Sequence, residues 1–341
     1  MILRTIHVGV GGHGQWTSDV LGKDPKFKPV ALVDTNAAAL RVAQYRLAEM
    51  GHKGVPNFSG LTGALSQIEA DALIICTPTR THAEYARMGF AVNMHVLVEK
   101  AMTTDWAEAQ ALVAEADAAW VKFCVAQNYR YTAVEQTISY ILSHPDHPHY
   151  PGEIRIADYV HHRYRPEPRN LDYPFAMVWD MSCHHMDSLS RWLGKAKQVT
   201  ARSYAAPWTQ YVHDANVSAF IEYDSGAICN YVLTHDATMF QWRIAMQGDR
   251  GALVLTNHDK LRFYVKPGQQ LATAEAESLD CDVMDCPLPE ACIADDFFKY
   301  IVEDGEPGIS GRRNLRTMAM CEALVRSAKN KRPVELAELK K

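Results

Sequence analysis

Gly9-Val10-Gly11-Gly12-His13-Gly14 is the stretch that decides the fold, because it matches G-x-G-x-x-G and separates an apolar strand, residues 3–10, from a helix. Glycines permit a tight turn and let the backbone approach a pyrophosphate. The N-terminus of the helix then offers free N–H groups and a partial positive charge. An ordinary glycine-rich turn is the alternative, and the position of the motif argues against it. The stretch therefore predicts a dinucleotide-binding βαβ unit.

Asp34 ends the second apolar strand, residues 29–34, and lies 20 residues after Gly14. An acidic side chain at this place accepts hydrogen bonds from ribose hydroxyls and repels a 2′-phosphate. The residues that follow it directly include neither Arg nor Lys. The sequence thus favours NAD over NADP. The alternative is an aspartate that only caps the next helix.

Apolar strand-like segments alternate with helical segments in the first part of the chain. Further strands are predicted at residues 71–76, 95–99 and 121–127, and helices at 36–50, 81–92 and 105–119. Alternation of this kind is typical of βαβ units with a parallel sheet. We expect a Rossmann domain over residues 1–125.

The pattern changes in residues 126–341, where strand candidates follow one another at short spacing between 153 and 265. Asp224-Ser225-Gly226 is a hairpin signal between two of them. Helices are predicted at residues 132–144, 291–303 and 312–330. The fold class is therefore α/β, with an N-terminal Rossmann domain and a C-terminal α/β domain that carries a large, mostly antiparallel sheet.

Composition excludes several functional classes. The chain has 341 residues and a net charge of -5, without the basic patch that nucleic-acid binding needs. No run of 18 apolar residues predicts a membrane helix, and a secretory signal is not recognisable. We expect a cytoplasmic protein. The eight scattered cysteines match no zinc pattern, so no metal site is expected.

Two segments carry residues suited to proton transfer. Lys100 follows the fourth strand, and ligands bind outside the carboxyl ends of parallel strands. Asp180, His184 and Asp187 have the i, i+4, i+7 spacing of one helix face. Histidine titrates near neutral pH and serves as a general base. A structural His–Asp pair on a helix is the alternative.

Together these motifs make the chain resemble the Gfo/Idh/MocA family, named for glucose–fructose oxidoreductase, inositol dehydrogenase and a rhizopine-catabolism protein. The resemblance covers nearly the whole chain. Besides the glycine motif and Asp34 it rests on Thr77-Pro78 with His82, Glu99-Lys100, Asn128-Tyr129-Arg130, Asp180-x-x-x-His184-x-x-Asp187, Arg191-Trp192-Leu193-Gly194, Asp296-Phe297-Phe298 and Pro307-x-Ile309-Ser310-Gly311.

The resemblance implies a role for each matching residue. Lys100 would bind the reacting hydroxyl and lower its pKa, His184 would be the general base in oxidation and the acid in reduction, and Asp180 would orient the substrate. Cofactor contacts are expected from Gly9, Gly11, Gly12, His13, Gly14, Gln15, Asp34, Thr77, Pro78, Thr79, His82, Glu99 and Lys100. Substrate contacts are expected from Lys100, Asn128, Tyr129, Arg130, His161, Arg163, Asp180 and His184. The family also commonly builds oligomers on its open C-terminal sheet, which implies a homodimer or homotetramer.

The chain departs from the family pattern at two places. Ala101 stands where the Glu-Lys-Pro motif has proline, which leaves the position of Lys100 open. Residues 175–179 replace a glycine-rich run and should make the pocket floor bulkier. The polar and aromatic segment 158–173 should also present some side chains to the cleft, where rings and guanidinium groups suit a polyhydroxylated ring. For any one of these residues, an ordinary surface position is the alternative.

The leading hypothesis is an NAD-dependent oxidoreductase that acts on a secondary alcohol of a sugar, a sugar derivative or a cyclitol. One alternative is a redox-assisted glycosidase or lyase that retains its NAD, as similar members of the superfamily do. The other is a non-catalytic sensor that binds a dinucleotide and a protein partner. Net production of NADH would separate the first two.

Overall fold

The computed structural model describes residues 1–165, 171–266 and 277–340. The chain divides into two compact units. The first comprises Met1–Tyr131 and Pro287–Met318, and the second comprises Thr132–Cys286 and Ala319–Lys341. Residues 166–170, inside the polar segment 158–173, lie outside the described ranges.

The first unit contains a six-stranded, wholly parallel sheet. Its strands are β1 (Leu3–Val8), β2 (Phe27–Val33), β3 (Asn57–Phe58), β4 (Ala72–Ile75), β5 (His95–Glu99) and β6 (Phe123–Ala126). Their order is β3-β2-β1-β4-β5-β6. This is the doubly wound order of a Rossmann fold, in which the strand order reverses between β1 and β4. The predicted fold class is confirmed for this unit.

A 3₁₀ turn (Gly12–Gly14) and a π-helix (Thr17–Leu21) connect β1 to β2. The later strands are connected by the α-helices α1 (Ala37–Glu49), α2 (Leu61–Leu65), α3 (His82–Ala91) and α4 (Trp106–Ala118). The side chain of Asn36 caps α1 by accepting from the N–H groups of Ala38 and Ala39. Asp105 caps α4 as predicted, accepting from the N–H of Glu108 at 2.8 Å. The short elements β3 and α2 were not predicted.

The second unit contains a nine-stranded sheet with α5 (Ala133–Ser143) and α6 (Cys183–Trp192). Its strands are β7 (Ile154–Tyr164), β8 (Ala196–Tyr204), β9 (Asn216–Tyr223), β10 (Ile228–Thr234), β11 (Asp236–Gly248), β12 (Gly251–Thr256), β13 (Lys260–Val265), β14 (Ser278–Asp280) and β15 (Val334–Glu335). The order is β14-β13-β12-β11-β7-β10-β9-β8-β15. The pair β7 and β10 is parallel and the other pairs are antiparallel. The predicted, mostly antiparallel sheet is confirmed.

The helix α7 (Pro289–Glu303) belongs to the first compact unit, although it follows the sheet of the second unit in the chain. Ile293, Ala294 and Phe297 of α7 share a buried hydrophobic cluster with residues of the parallel sheet such as Leu3. This burial of the apolar face of α7 explains the assignment, because burying a large apolar side chain contributes roughly 1.5–3 kcal/mol.

The long helix α8 (Gly311–Asn330) starts in the first unit and ends in the second. Even this helix lacks the apolar length that membrane crossing would require, and the same holds for the other helices in the described ranges.

Candidate active site

The glycine turn after β1 is packed too closely for side chains at two of its positions. A Cβ on Gly14 would lie 1.8 Å from the carbonyl oxygen of Gly9, and a Cβ on Gly9 would lie 2.5 Å from that of Cys76. Gly9 and Gly12 have φ values of +78° and +53°, which favour glycine. A Cβ on Gly12 would meet open space. The turn therefore packs against the end of β4 on one side and leaves an uncovered backbone that fits a pyrophosphate.

Asp34 holds this turn by its carboxylate. Its Oδ2 accepts from the N–H groups of Val10 at 2.9 Å and Gly11 at 3.2 Å, and its Oδ1 accepts from Asn36 at 2.8 Å. A carboxylate has about four acceptor sites, so capacity for a ribose hydroxyl remains. Because Asn36 caps α1, Asp34 does not serve as the helix cap that we considered as the alternative. It fixes the turn and presents a negative charge beside it.

Glu99, at the end of β5, ties Lys100 to the same turn. Its Oε1 accepts from the indole N–H of Trp16 at 2.9 Å and lies 3.2 Å from Nε2 of His13, and its Oε2 accepts from the backbone N–H of Lys100 at 3.1 Å. Burial alone would raise the pKa of Glu99, but the His13 hydrogen bond and the nearby positive charges outweigh it and lower this pKa. The same bond raises the pKa of His13. Trp16 was not predicted as a site residue.

His82 is buried beneath the site. One ring nitrogen lies 2.8 Å from the carbonyl oxygen of Thr77 and the other lies 2.8 Å from that of Ala101. Burial lowers its pKa, against the opposing effect of both carbonyls. The peptide bond between Lys100 and Ala101 is cis. His82 thus holds the loops after β4 and β5, and its side chain has about 1% exposure in total.

The remaining predicted cofactor residues also lie on these loops. Gln15 closes the 3₁₀ turn Gly12–Gly14 with its backbone N–H, and Pro78 is followed by a second 3₁₀ turn, Thr79–Thr81. The hydroxyl of Thr81 donates to that of Thr77 at 2.8 Å.

The segment Asn128–Tyr131 follows β6 as a 3₁₀ turn. The guanidinium of Arg130 lies against Gly308, where a Cβ would be 2.2 Å from a terminal nitrogen. The preceding Gln127 is buried, and both polar atoms of its carboxamide have no hydrogen-bond partner among the described residues. Because Glu99 pairs with Ala126 in the sheet, Gln127 is level with Lys100. Its burial and its register in the sheet make Gln127 a candidate site residue, which the sequence motifs did not identify.

In the second unit, Asp180 lies in a π-helical turn, Val178–Ser182, that leads directly into α6. Such wide turns often occur at functional sites. The spacing of a regular helix therefore applies to His184 and Asp187, which are buried in α6, and not to Asp180. The carboxylate of Asp180 is half-buried and lies 3.4 Å from the guanidinium of Arg165.

Buried side chains of α6, of the π-helical turn and of the neighbouring strands form a hydrogen-bonded chain. His161 Nδ1 lies 3.2 Å from His185 Nε2, His185 Nδ1 lies 2.8 Å from the Tyr231 hydroxyl, and that hydroxyl donates to Ser182 at 2.8 Å. The His161 ring also stacks on Trp242. Burial lowers the pKa of His161 to about 3 and that of His185 well below its usual value. Both rings are therefore neutral at physiological pH, and their burial gives them a supporting position.

The predicted catalytic and substrate residues are divided between the units. Lys100, Asn128, Tyr129 and Arg130 belong to the first, and His161, Arg163, Asp180 and His184 belong to the second. Within residues 1–165, 171–266 and 277–340, no three His, Cys, Asp or Glu side chains are grouped so that they could hold a metal ion.

Comparison with known proteins identifies related sequences and folds. The chain is 24% identical to 4-carboxy-2-hydroxymuconate-6-semialdehyde dehydrogenase of Sphingobium sp., over 92% of this chain and 95% of the relative. It is 23% identical to D-apiose dehydrogenase of Paraburkholderia graminis, over 91% and 83%. Its fold is similar to that of an oxidoreductase from Agrobacterium radiobacter solved with NAD⁺, L-tartaric acid and magnesium, with a TM-score of 0.85, 17% identity and coverage of 99% and 100%.

Two family models match the chain in succession. Residues 3–127 match the NAD-binding Rossmann fold of an oxidoreductase family, and residues 170–336 match the C-terminal alpha/beta domain of the same family. The first matched range contains the glycine turn and Asp34, and the second contains α6. The chain belongs to the Gfo/Idh/MocA oxidoreductase family, and its N-terminal domain is an NAD-binding Rossmann fold.

Proposed function

We propose that this chain is an NAD-dependent dehydrogenase that interconverts a secondary alcohol and a ketone in a sugar, a sugar derivative or a cyclitol. The observation that carries the proposal is the carboxylate of Glu99. It bonds to His13 and Trp16 of the dinucleotide-binding segment and to the backbone of Lys100 at once. The backbone of Lys100 is thereby tied to the turn that binds the cofactor, and its side-chain cation would bind the reacting oxygen.

The cofactor would be held by the glycine turn and Asp34, whose packing and acceptor capacity fit a pyrophosphate and a ribose. Bound NAD would supply the hydride acceptor for oxidation. Lys100 would bind the reacting hydroxyl oxygen and stabilise negative charge as it develops there. His184 would take the hydroxyl proton in oxidation and return it in reduction, with Asp180 orienting the substrate.

The relatives support this reaction class. The D-apiose enzyme is named as a dehydrogenase of an aldose, and the Sphingobium enzyme is named as a dehydrogenase of a carboxylated semialdehyde. At 23–24% identity these names support dehydrogenation and leave the substrate open.

A panel of sugars, sugar acids and cyclitols with NAD and NADP tests the proposal by absorbance of the reduced nicotinamide. Lys100→Met and His184→Asn should each lower kcat by about 10²- to 10⁴-fold, the usual contribution of acid–base catalysis. The affinity for NAD should change little. Lys195→Met and His144→Asn are matched controls, because both side chains are exposed. They should retain wild-type turnover.

Near-normal turnover in both site variants would refute the assignment. Product formation without net NADH would instead identify an enzyme that retains its cofactor. Tight NAD binding without hydride transfer across the panel would favour the sensor.

A further inference from the structure

The strand β7 directs a row of side chains toward α6. Tyr159, His161, Arg163 and Arg165 occupy alternate positions, and side chains at alternate positions share one face of a strand. The rings of Tyr159 and His161 both contact His185 of α6. Arg163 is on the same face within β7, and Arg165 follows directly after it. Both arginines are half-buried.

The two arginines differ in their partners. The guanidinium of Arg165 lies 3.4 Å from Asp180, in a pair with exposed side-chain fractions of 29% and 22%. Arg163 makes no hydrogen bond or ion pair with any residue that the structure describes. Asp236, a second carboxylate nearby, pairs with Tyr164 in the sheet and so belongs to the opposite face of β7. The carboxylate of Asp236 accepts a hydrogen bond from the side-chain amide of Asn216 at 2.9 Å.

His161, His235 and Tyr211, which lie around the arginines, are neutral at physiological pH. Burial, with the charge of Arg163 adding to it, lowers the pKa of His161 to about 3. Burial and the charges of both arginines lower that of His235 to about 3. Burial raises the pKa of Tyr211, whose hydroxyl lies 3.0 Å from His235, to about 12. Among the described residues, and with Asp236 on the other face of β7, the two guanidinium groups therefore carry one positive charge more than the Asp180 carboxylate balances.

We propose that Arg163 and Arg165 bind a carboxylate of the substrate, so that the enzyme acts on a sugar acid or a related hydroxy acid. This inference rests on the proposed function and names its substrate class. A carboxylate carries one negative charge and matches the excess charge of the cluster. A phosphate monoester carries about -1.5 to -2 and would exceed it. The planar guanidinium also pairs with planar carboxylates through two parallel hydrogen bonds.

Matched substrate pairs test the inference. The holoenzyme is assayed with D-glucuronate against D-glucose, D-galacturonate against D-galactose, and the corresponding sugar phosphates. We expect kcat/KM for the acids to exceed that for the neutral sugars by at least about tenfold, the discrimination that a charge-assisted hydrogen bond provides. Equal or better turnover of the neutral sugars would overturn the carboxylate proposal and leave the dehydrogenase intact. A preference for the phosphates would also overturn it.

The variant Arg163→Gln should raise KM for the acid by about 10- to 100-fold and thereby remove the preference for the acid over the neutral sugar. Arg155→Gln is the matched control, because this arginine is on the same strand, is exposed and pairs with Glu153. An equal effect of Arg163→Gln on acid and neutral sugar would contradict a carboxylate-binding role.

A second measurement does not depend on turnover. D-glucuronate and D-galacturonate should raise the Tm of the NAD-bound wild-type protein, and the shift should disappear in Arg163→Gln while persisting in Arg155→Gln. If neither acid shifts the Tm and neither is turned over, the inference fails. If the Tm shifts but no substrate of the panel yields NADH, the proposed dehydrogenase fails and the carboxylate site stands.

Discussion

Glu99→Gln should weaken NAD binding although Glu99 need not touch the cofactor. The substitution keeps the shape of the side chain and replaces one acceptor oxygen with an NH₂ group. In the wild type, both oxygens accept hydrogen bonds, from His13 and Trp16 on one side and from the Lys100 backbone on the other. In the variant, the new NH₂ group must lie against one of these N–H donors, which then has no acceptor.

The magnitude follows from these contacts. Leaving one buried donor unpaired costs about 1–3 kcal/mol. We expect the free energy of unfolding to fall by about 2 kcal/mol. The Kd for NAD should rise by about tenfold, because the loosened glycine turn must become ordered when NAD binds. Urea unfolding and calorimetric titration with NAD measure the two quantities. Glu69→Gln is the control, since Glu69 is 92% exposed.

The pH dependence supplies a second check. The raised pKa of His13 means that its bond to Glu99 stabilises the fold fully below pH 6.5 and that this contribution is lost as the pH rises through the higher folded-state value. The lowered pKa of Glu99 means that its contribution is present above pH 4.5 and is lost as the pH falls. The stability difference between wild type and variant should therefore be largest between these pH values. A variant with wild-type stability and NAD affinity at every pH would refute this account.

Three further predictions concern the turn, its carboxylate and the buried imidazoles. Gly14→Ala should abolish NAD binding in calorimetry, because its Cβ would lie 1.8 Å from a carbonyl oxygen, whereas Gly60→Ala, with open space around it, should bind normally. Asp34→Asn should lower the affinity for NAD, because an acceptor of the turn's N–H groups is lost. It should also reduce the preference for NAD over NADP in paired titrations, because the negative charge is lost. The pKa of His161 is lowered from 6.5 to about 3 in the folded state. Between these pH values the unfolded state binds more protons than the folded state, so the free energy of unfolding decreases as the pH is lowered. His161→Gln should remove up to about 2 kcal/mol of the stability loss between pH 7 and pH 5 in urea unfolding.

The sequence predicted the long elements of the first unit because their burial is uniform. All four residues of β4 are buried, and such strands are continuous apolar runs in any parallel sheet. β3 and α2 were missed because they are two and five residues long, too short for a period to show.

The packing of α7 against the parallel sheet could not be predicted for a different reason. An amphipathic pattern states that Ile293 and Phe297 are buried but not which sheet buries them. The π-helical turn at Val178–Ser182 was likewise invisible, since spacing arguments assume a regular helix. The direction of Asp180 relative to His184 therefore required the structure.

The cofactor turn of the first unit and the surroundings of Asp180 in the second differ in what sequence alone can predict. The cofactor turn is made of backbone and one carboxylate, so the spacing of its glycines and Asp34 nearly specifies it. The surroundings of Asp180 are made of side chains from β7 and the loops near it, and their effect depends on charge. Two arginines at alternate positions are visible in the sequence. The size of the net charge around them is defined only by the structure, in which burial makes His161 and His235 neutral and the strand register places Asp236 on the other face. The same arginines beside charged histidines or a shared aspartate would imply a different substrate.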